Sequence, residues 1–214
     1  MPSSSPPALP DPSDGPFHAV PLTDRCRAVF AARAHGCVGV SPFNSHFSAE
    51  RITALVRWAL GSFDRVHFFV PDTAAVHTLQ ALGYAPARAA WKARRQGQYV
   101  RNKITRALSA ADIGEPRAHI LDGQALAVNI AYGQVLGEVE DRYGRDTAFA
   151  RACLGASAWT LERRLPPGQT PTQEQLRCAV RYFLAELPPL PRYAADRRRD
   201  GLGVLLSPGA GLPR

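Results

Sequence analysis

Two short apolar runs, His35–Val40 and Val66–Val70, are each followed by a stretch with helical periodicity, and this alternation most constrains the fold. Between them Ile52, Leu55, Val56, Ala59, Leu60 and Phe63 fall on one face of a helix that starts near Ser48. Val66–Val70 is apolar at nearly every position, the pattern of a strand buried on both faces. Pro71-Asp72-Thr73 closes it and is expected to cap a helix carrying Val76, Leu79 and Leu82, which Gly83 stops. A long basic helix over Arg88–Ala110, a third strand over Ala118–Leu121 and helices over Gln124–Asp141 and Asp146–Arg164 follow. Strand and helix alternating through short connections imply right-handed crossovers, a parallel sheet and an α/β fold.

Ligands of such sheets bind beyond the carboxyl ends of the strands. Ser41 sits there, in Gly39-Val40-Ser41-Pro42-Phe43-Asn44-Ser45, with Gly39 leaving room for a substrate beside the backbone. Turn N–H groups beside an exposed hydroxyl suit an oxyanion, so Ser41 is a candidate nucleophile. The same residues are also ordinary turn formers. Phe43 replaces the last glycine of a G-x-S-x-G elbow, and neither G-x-G-x-x-G nor G-x-x-x-x-G-K-[ST] occurs.

Pro171-Thr172-Gln173-Glu174-Gln175 offers a capping box for a late helix whose apolar stripe is Leu176, Ala179, Val180, Phe183, Leu184 and Leu187. Tyr182 and Glu186, four apart, share a face bordering that stripe. A carboxylate there is either solvated at the helix edge or desolvated enough to serve as a base.

The formal net charge of +8 is unevenly placed. No acid lies between Asp72 and Asp112, whereas Arg88, Lys92, Arg94, Arg95, Arg101, Lys103 and Arg106 do. Arg88, Lys92, Arg95, Tyr99, Lys103 and Arg106 form one stripe, with Arg94 and Arg101 beside it. A solvated face would mix Glu with Lys; an all-cationic one with a tyrosine suits a phosphate backbone. Ala93, Gly97, Val100, Ile104, Ala107 and Leu108 face inward, and Gly97 suggests close packing.

The 214 residues suit one domain, and no apolar run reaches membrane-spanning length. Residues 1–21 carry no signal-peptide pattern, and their Pro/Ser-rich start is expected to be disordered. The domain is expected over 22–190, with an atypical tail over 191–214. Four scattered cysteines, without ligand spacing, point to a reducing cytoplasm and no metal.

Gly39-Val40-Ser41-x-x-Asn44-Ser45-x-Phe47, the all-basic helix and Tyr182-x-x-x-Glu186 together resemble the cyclodipeptide synthases over about Val29–Pro188. The resemblance implies a Rossmann-like domain similar to the catalytic domain of class I tyrosyl- and tryptophanyl-tRNA synthetases, without their ATP signatures. It implies an aminoacyltransferase that joins the amino acids of two aminoacyl-tRNAs into a 2,5-diketopiperazine, with no cofactor. Ser41 then matches the nucleophile that becomes aminoacylated, and Gly39 and Asn44 the positions that shape its site. Asn44 matches the subfamily with asparagine after the serine. Tyr182 and Glu186 match the pair that holds the aminoacyl amino group. Arg88, Lys92, Arg94, Arg95, Arg101, Lys103 and Arg106 lie on the implied tRNA-binding helix. Arg164 matches the second aminoacyl pocket, where Arg163 departs from the family's asparagine. Val38, Val70 and Leu121 are candidates for the first pocket, which would favour an apolar side chain. A monomer is expected.

After Glu186 the resemblance implies a further strand and a site tyrosine. Tyr193 comes too early and no tyrosine follows it, so a truncated or frameshifted end and a weakened enzyme are expected. The alternatives are an RNA-binding homologue without turnover and a serine hydrolase, for which no histidine motif stands out.

Overall fold

The computed structural model describes residues 24–188 together with 17 and 19–21. The tail over 191–214, with Tyr193, and nearly all of the N-terminal segment lie outside the described residues. Helix α1 (Asp24–Ala32) leads into strand β1 (His35–Gly39), helix α2 (Ala49–Ser62) and strand β2 (Arg65–Phe69). Helices α3 (Ala75–Ala81) and α4 (Pro86–Ser109) carry the chain to strand β3 (Ile120–Leu121). Helices α5 (Gly123–Ala127), α6 (Ile130–Arg145), α7 (Thr147–Glu162) and α8 (Gln173–Glu186) complete the described fold.

The three strands are parallel in the order β1-β2-β3, with Val38 opposite Phe68 and Phe68 opposite Ile120. Both crossovers step the same way, so right-handedness places α2 and α4 on one face of the sheet. The main core lies there: Val38, Val40, Val66, Phe68 and Val70 pack against Ile52, Val56 and Ala59 of α2 and Val100, Ile104 and Leu108 of α4. On the other face Cys37 and Phe69 meet Leu126 and Tyr132. Burying Cys37 between these layers pushes its thiol up to about 12, as expected of a small core residue rather than a reactive one.

Several boundaries differ from expectation. The stretch expected as one helix over Gln124–Asp141 is two, because the Asn129 side chain accepts the Tyr132 N–H and starts α6 afresh. The third strand shrinks to two residues because a 3₁₀ turn occupies Pro116–His119. Asp72 does not cap α3, which has no side-chain cap; its carboxylate is engaged elsewhere, as described below. Gly83 does end α3, at φ +87°. The capping box forms as expected, with Thr172 and Gln175 bonded reciprocally. Gln175 Nε2 also donates 2.9 Å to the Ala81 carbonyl, which fastens the start of α8 to the end of α3.

Candidate active site

Ser41 follows the carboxyl end of β1, where the Val40 N–H donates to the Phe69 carbonyl at 2.8 Å and holds the strand edge. Beyond it the chain turns tightly. The Asn44 side chain accepts the His46 N–H at 3.0 Å, and its carbonyl accepts the Phe47 N–H at 3.2 Å. Asn44 therefore shapes the turn through its own backbone neighbourhood. Ser48 then caps α2 by accepting the Arg51 N–H.

Helix α8 brings the other two residues to this turn. Phe43, Val76, Tyr84 and Tyr182 gather around Ala75, Leu79, Ala89 and Ala93 of α3 and α4. The Tyr182 phenol has both Ser41 and Glu186 as side-chain neighbours within hydrogen-bond reach, which brings hydroxyl, phenol and carboxylate together. Burial, then the Glu186 charge, holds Tyr182 well above the ordinary tyrosine value. Burial pushes the Glu186 carboxyl up to about 7, against the opposing hydrogen bond from Tyr182. Tyr132 Oη donates 3.1 Å to the Ala185 carbonyl and pins α6 to the last turn of α8 beside Glu186. Arg164, just past α7, is exposed but close enough for its charge to favour the Tyr182 phenolate. Arg163 instead stacks over Trp159, 4.8 Å from the ring centre.

Some of the expected site residues fall elsewhere. Val70 has no exposed surface and, like Val38, packs in the main core. Arg101, expected beside the cationic stripe among the RNA-binding residues, is 8% exposed and turned inward. Its Nη1 pairs with Asp72 and lies 3.4 Å from Asp122, while Nη2 donates to Gln98 at 2.9 Å. Asp72 also accepts the N–H groups of Thr73 and Gly123, at 2.8 and 2.9 Å. The inward side of α4 thus locks to the segments that leave β2 and β3. The close packing expected at Gly97 is present, since a Cβ there would overlap the Asp72 side chain.

On the outer side of α4, Arg88, Arg94, Arg95 and Arg106 are exposed, Lys92 is half-buried, and among the described residues none of them forms an ion pair. Lys103 is drawn inward, donating 3.0 Å to the Phe47 carbonyl. Sequence reasoning missed the acidic partners of Arg101 and did not single out Trp91, which is 55% exposed on the same stripe. Its spacing of three from Arg88 and four from Arg95 was the available signal.

This arrangement has relatives among known proteins. The cyclodipeptide synthase family profile matches residues 17–190. The chain belongs to the cyclodipeptide synthase family. It is 35% identical over 176 residues to the cyclo(L-leucyl-L-leucyl) synthase of Bacillus subtilis, covering 80% of this chain and 70% of that protein. It is 30% identical over 172 residues to the cyclo(L-tyrosyl-L-tyrosyl) synthase of Mycobacterium tuberculosis, covering 80% and 60%. Among solved structures, a cyclodipeptide synthase from Bacillus thermoamylovorans superposes with a TM-score of 0.79 at 27% identity, over 88% of this chain and 82% of that one. The structure from M. tuberculosis that relates these enzymes to type I tRNA synthetases superposes with a TM-score of 0.68 at 28% identity, over 79% and 71%. The α/β Rossmann-like reading of the sequence is therefore borne out. Among the described residues no helix is long and apolar enough to cross a membrane.

Proposed function

We propose that this chain is a cytoplasmic cyclodipeptide synthase that forms a 2,5-diketopiperazine from two aminoacyl-tRNAs through an aminoacyl ester on Ser41. The observation that carries the reading is the Ser41–Tyr182–Glu186 chain, with its carboxyl near neutrality, beside a cationic helix. The substrate ester is already activated, so no nucleotide is required. Ser41 Oγ bonds to the ester carbonyl carbon, the bond to the tRNA 3′ oxygen breaks, and the proton leaves with the 3′ hydroxyl. Turn N–H groups receive the transient oxyanion. A carboxyl near pH 7 can take the proton of the bound ammonium, which frees the amine to attack. That amine opens the second aminoacyl ester and gives a dipeptidyl-enzyme. The new terminal amine then attacks the Ser41 ester, closing a six-membered ring and releasing Ser41. Holding both ends in one pocket makes the closure intramolecular. Gly39, Asn44 and Arg164 border this space, and Arg88, Lys92, Arg94, Arg95 and Arg106 meet tRNA phosphates. The relatives named for leucyl and tyrosyl products favour apolar or aromatic substrates.

Incubation with labelled aminoacyl-tRNAs tests the reading. Acyl label on the wild-type protein and a diketopiperazine in the medium are expected, and Ser41→Ala should show neither. Label persisting in that variant would reject Ser41 as nucleophile, and binding without label would favour an RNA-binding homologue.

A further inference from the structure

Helix α4 carries aromatic rings where a simple phosphate-binding helix needs none. The Arg95 guanidinium lies 5.1 Å from the Trp91 ring centre and 5.5 Å from that of Tyr99, and its Nε donates 2.9 Å to Tyr99 Oη. Trp91, Arg95 and Tyr99 are one turn apart, so they form a ladder about 12 Å long. Neither ring is used by the fold: Trp91 is 55% and Tyr99 46% exposed. An apolar surface kept in water on a helix otherwise rich in Arg, Ala and Gln has a partner as its best explanation. A flat ring braced by a cation, with further cations at Arg88 and Arg106 that pair with no acid among the described residues, complements a stacked base flanked by phosphates.

The ladder is also placed for one part of the RNA. Ala89 and Ala93 pack beside Phe43 and Tyr182, so Trp91 stands at the level of the Ser41 turn and Tyr99 lies farther along α4. We propose that Trp91, Arg95 and Tyr99 stack the unpaired nucleotides next to the aminoacyl ester, holding the RNA end in line with Ser41. This rests on the aminoacyl-tRNA reading above.

The test uses the full chain and a short single-stranded RNA, with a blunt RNA duplex as control. Trp91→Ala and Tyr99→Ala should each weaken single-strand binding by about tenfold or more, with duplex binding nearly unchanged. Trp91→Phe should keep most of the affinity. The slope of log affinity against log salt should stay the same in these variants, whereas Arg88→Ala should make it shallower by about 0.7. Equal losses on single strand and duplex, or Ala variants within twofold of wild type while melting normally, would overturn the ladder. Acylation of Ser41 is scored separately. Ring-dependent RNA binding by a protein that no aminoacyl-tRNA acylates would sink the synthase reading and keep the ladder. Normal acylation with ring-independent binding would do the reverse.

Discussion

Asp72 and Asp122 are buried against a guanidinium, whereas Glu186 is buried against a phenol. The first two acids accept Arg101 and backbone N–H groups, and that cluster ties α4 to the ends of β2 and β3. Among the described residues only Tyr182 favours the charge of Glu186, and burial wins, pushing its carboxyl up to about 7. A buried acid matched by a cation and by backbone N–H groups serves the fold. A buried acid left partly unmatched can change state near neutral pH and suits chemistry.

Removing one group from each cluster should therefore have opposite consequences. Glu186→Gln is the largest expected effect: product formation should fall by about 10²–10⁴-fold while the protein stays folded. In the wild type, the rate of product formation should rise with pH and level off above about 7, and chromatographic product assays from pH 5.5 to 8.5 would check this. A rate that stayed flat across that range would break the contrast.

Arg101→Ala should cost about 3–5 kcal/mol, because two buried carboxylates lose their cation. Urea denaturation followed by circular dichroism would measure it, and a loss below 1 kcal/mol would mean that water replaces the guanidinium at little cost.

Stability against pH sharpens the comparison further. Above about pH 4.5 the unfolded chain ionises Glu186, while the folded chain holds the proton until about 7. Folding stability from this group therefore falls as pH rises through that window, by about 3 kcal/mol at 1.36 kcal/mol per pH unit. Glu186→Gln should remove the fall, so at pH 8 the inactive variant melts higher than the wild type. Equal melting temperatures at pH 8 would show that the carboxylate finds solvent when ionised.

Gly97→Ala should have the smallest effect, about 1–3 kcal/mol, since the added methyl overlaps Asp72 and must push α4 off the strand end. The same denaturation measurement applies, and a stabilised variant would show that the helix has room to shift.

The sequence makes one of these clusters legible and hides the other. Ser41, Tyr182 and Glu186 announce themselves locally, the first by a strand-to-helix turn and the others by a four-residue spacing beside an apolar stripe. The parallel sheet is legible for a similar reason, since an apolar run of five residues and a helical repeat are local patterns. Arg101 offers no such signal. It lies at the margin of the packing face, and its partners come 29 residues before and 21 after it in loops that only the folded sheet brings together. Counting charges along α4 therefore placed it with the outer arginines. The division between α5 and α6 was readable in principle, because Asn129 is a good cap, but the apolar repeat runs across it and hides the break.

Helix α4 keeps its buried and its exposed residues on separate sides. Ala89, Ala93, Gly97, Val100 and Ile104 face inward, whereas Arg88, Trp91, Arg94, Arg95, Tyr99 and Arg106 stay exposed. Mutation can rewrite the outer side without renegotiating the fold, so this helix behaves as an exchangeable handle. Its outward residues can be exchanged as a set while the buried side of the helix stays as it is.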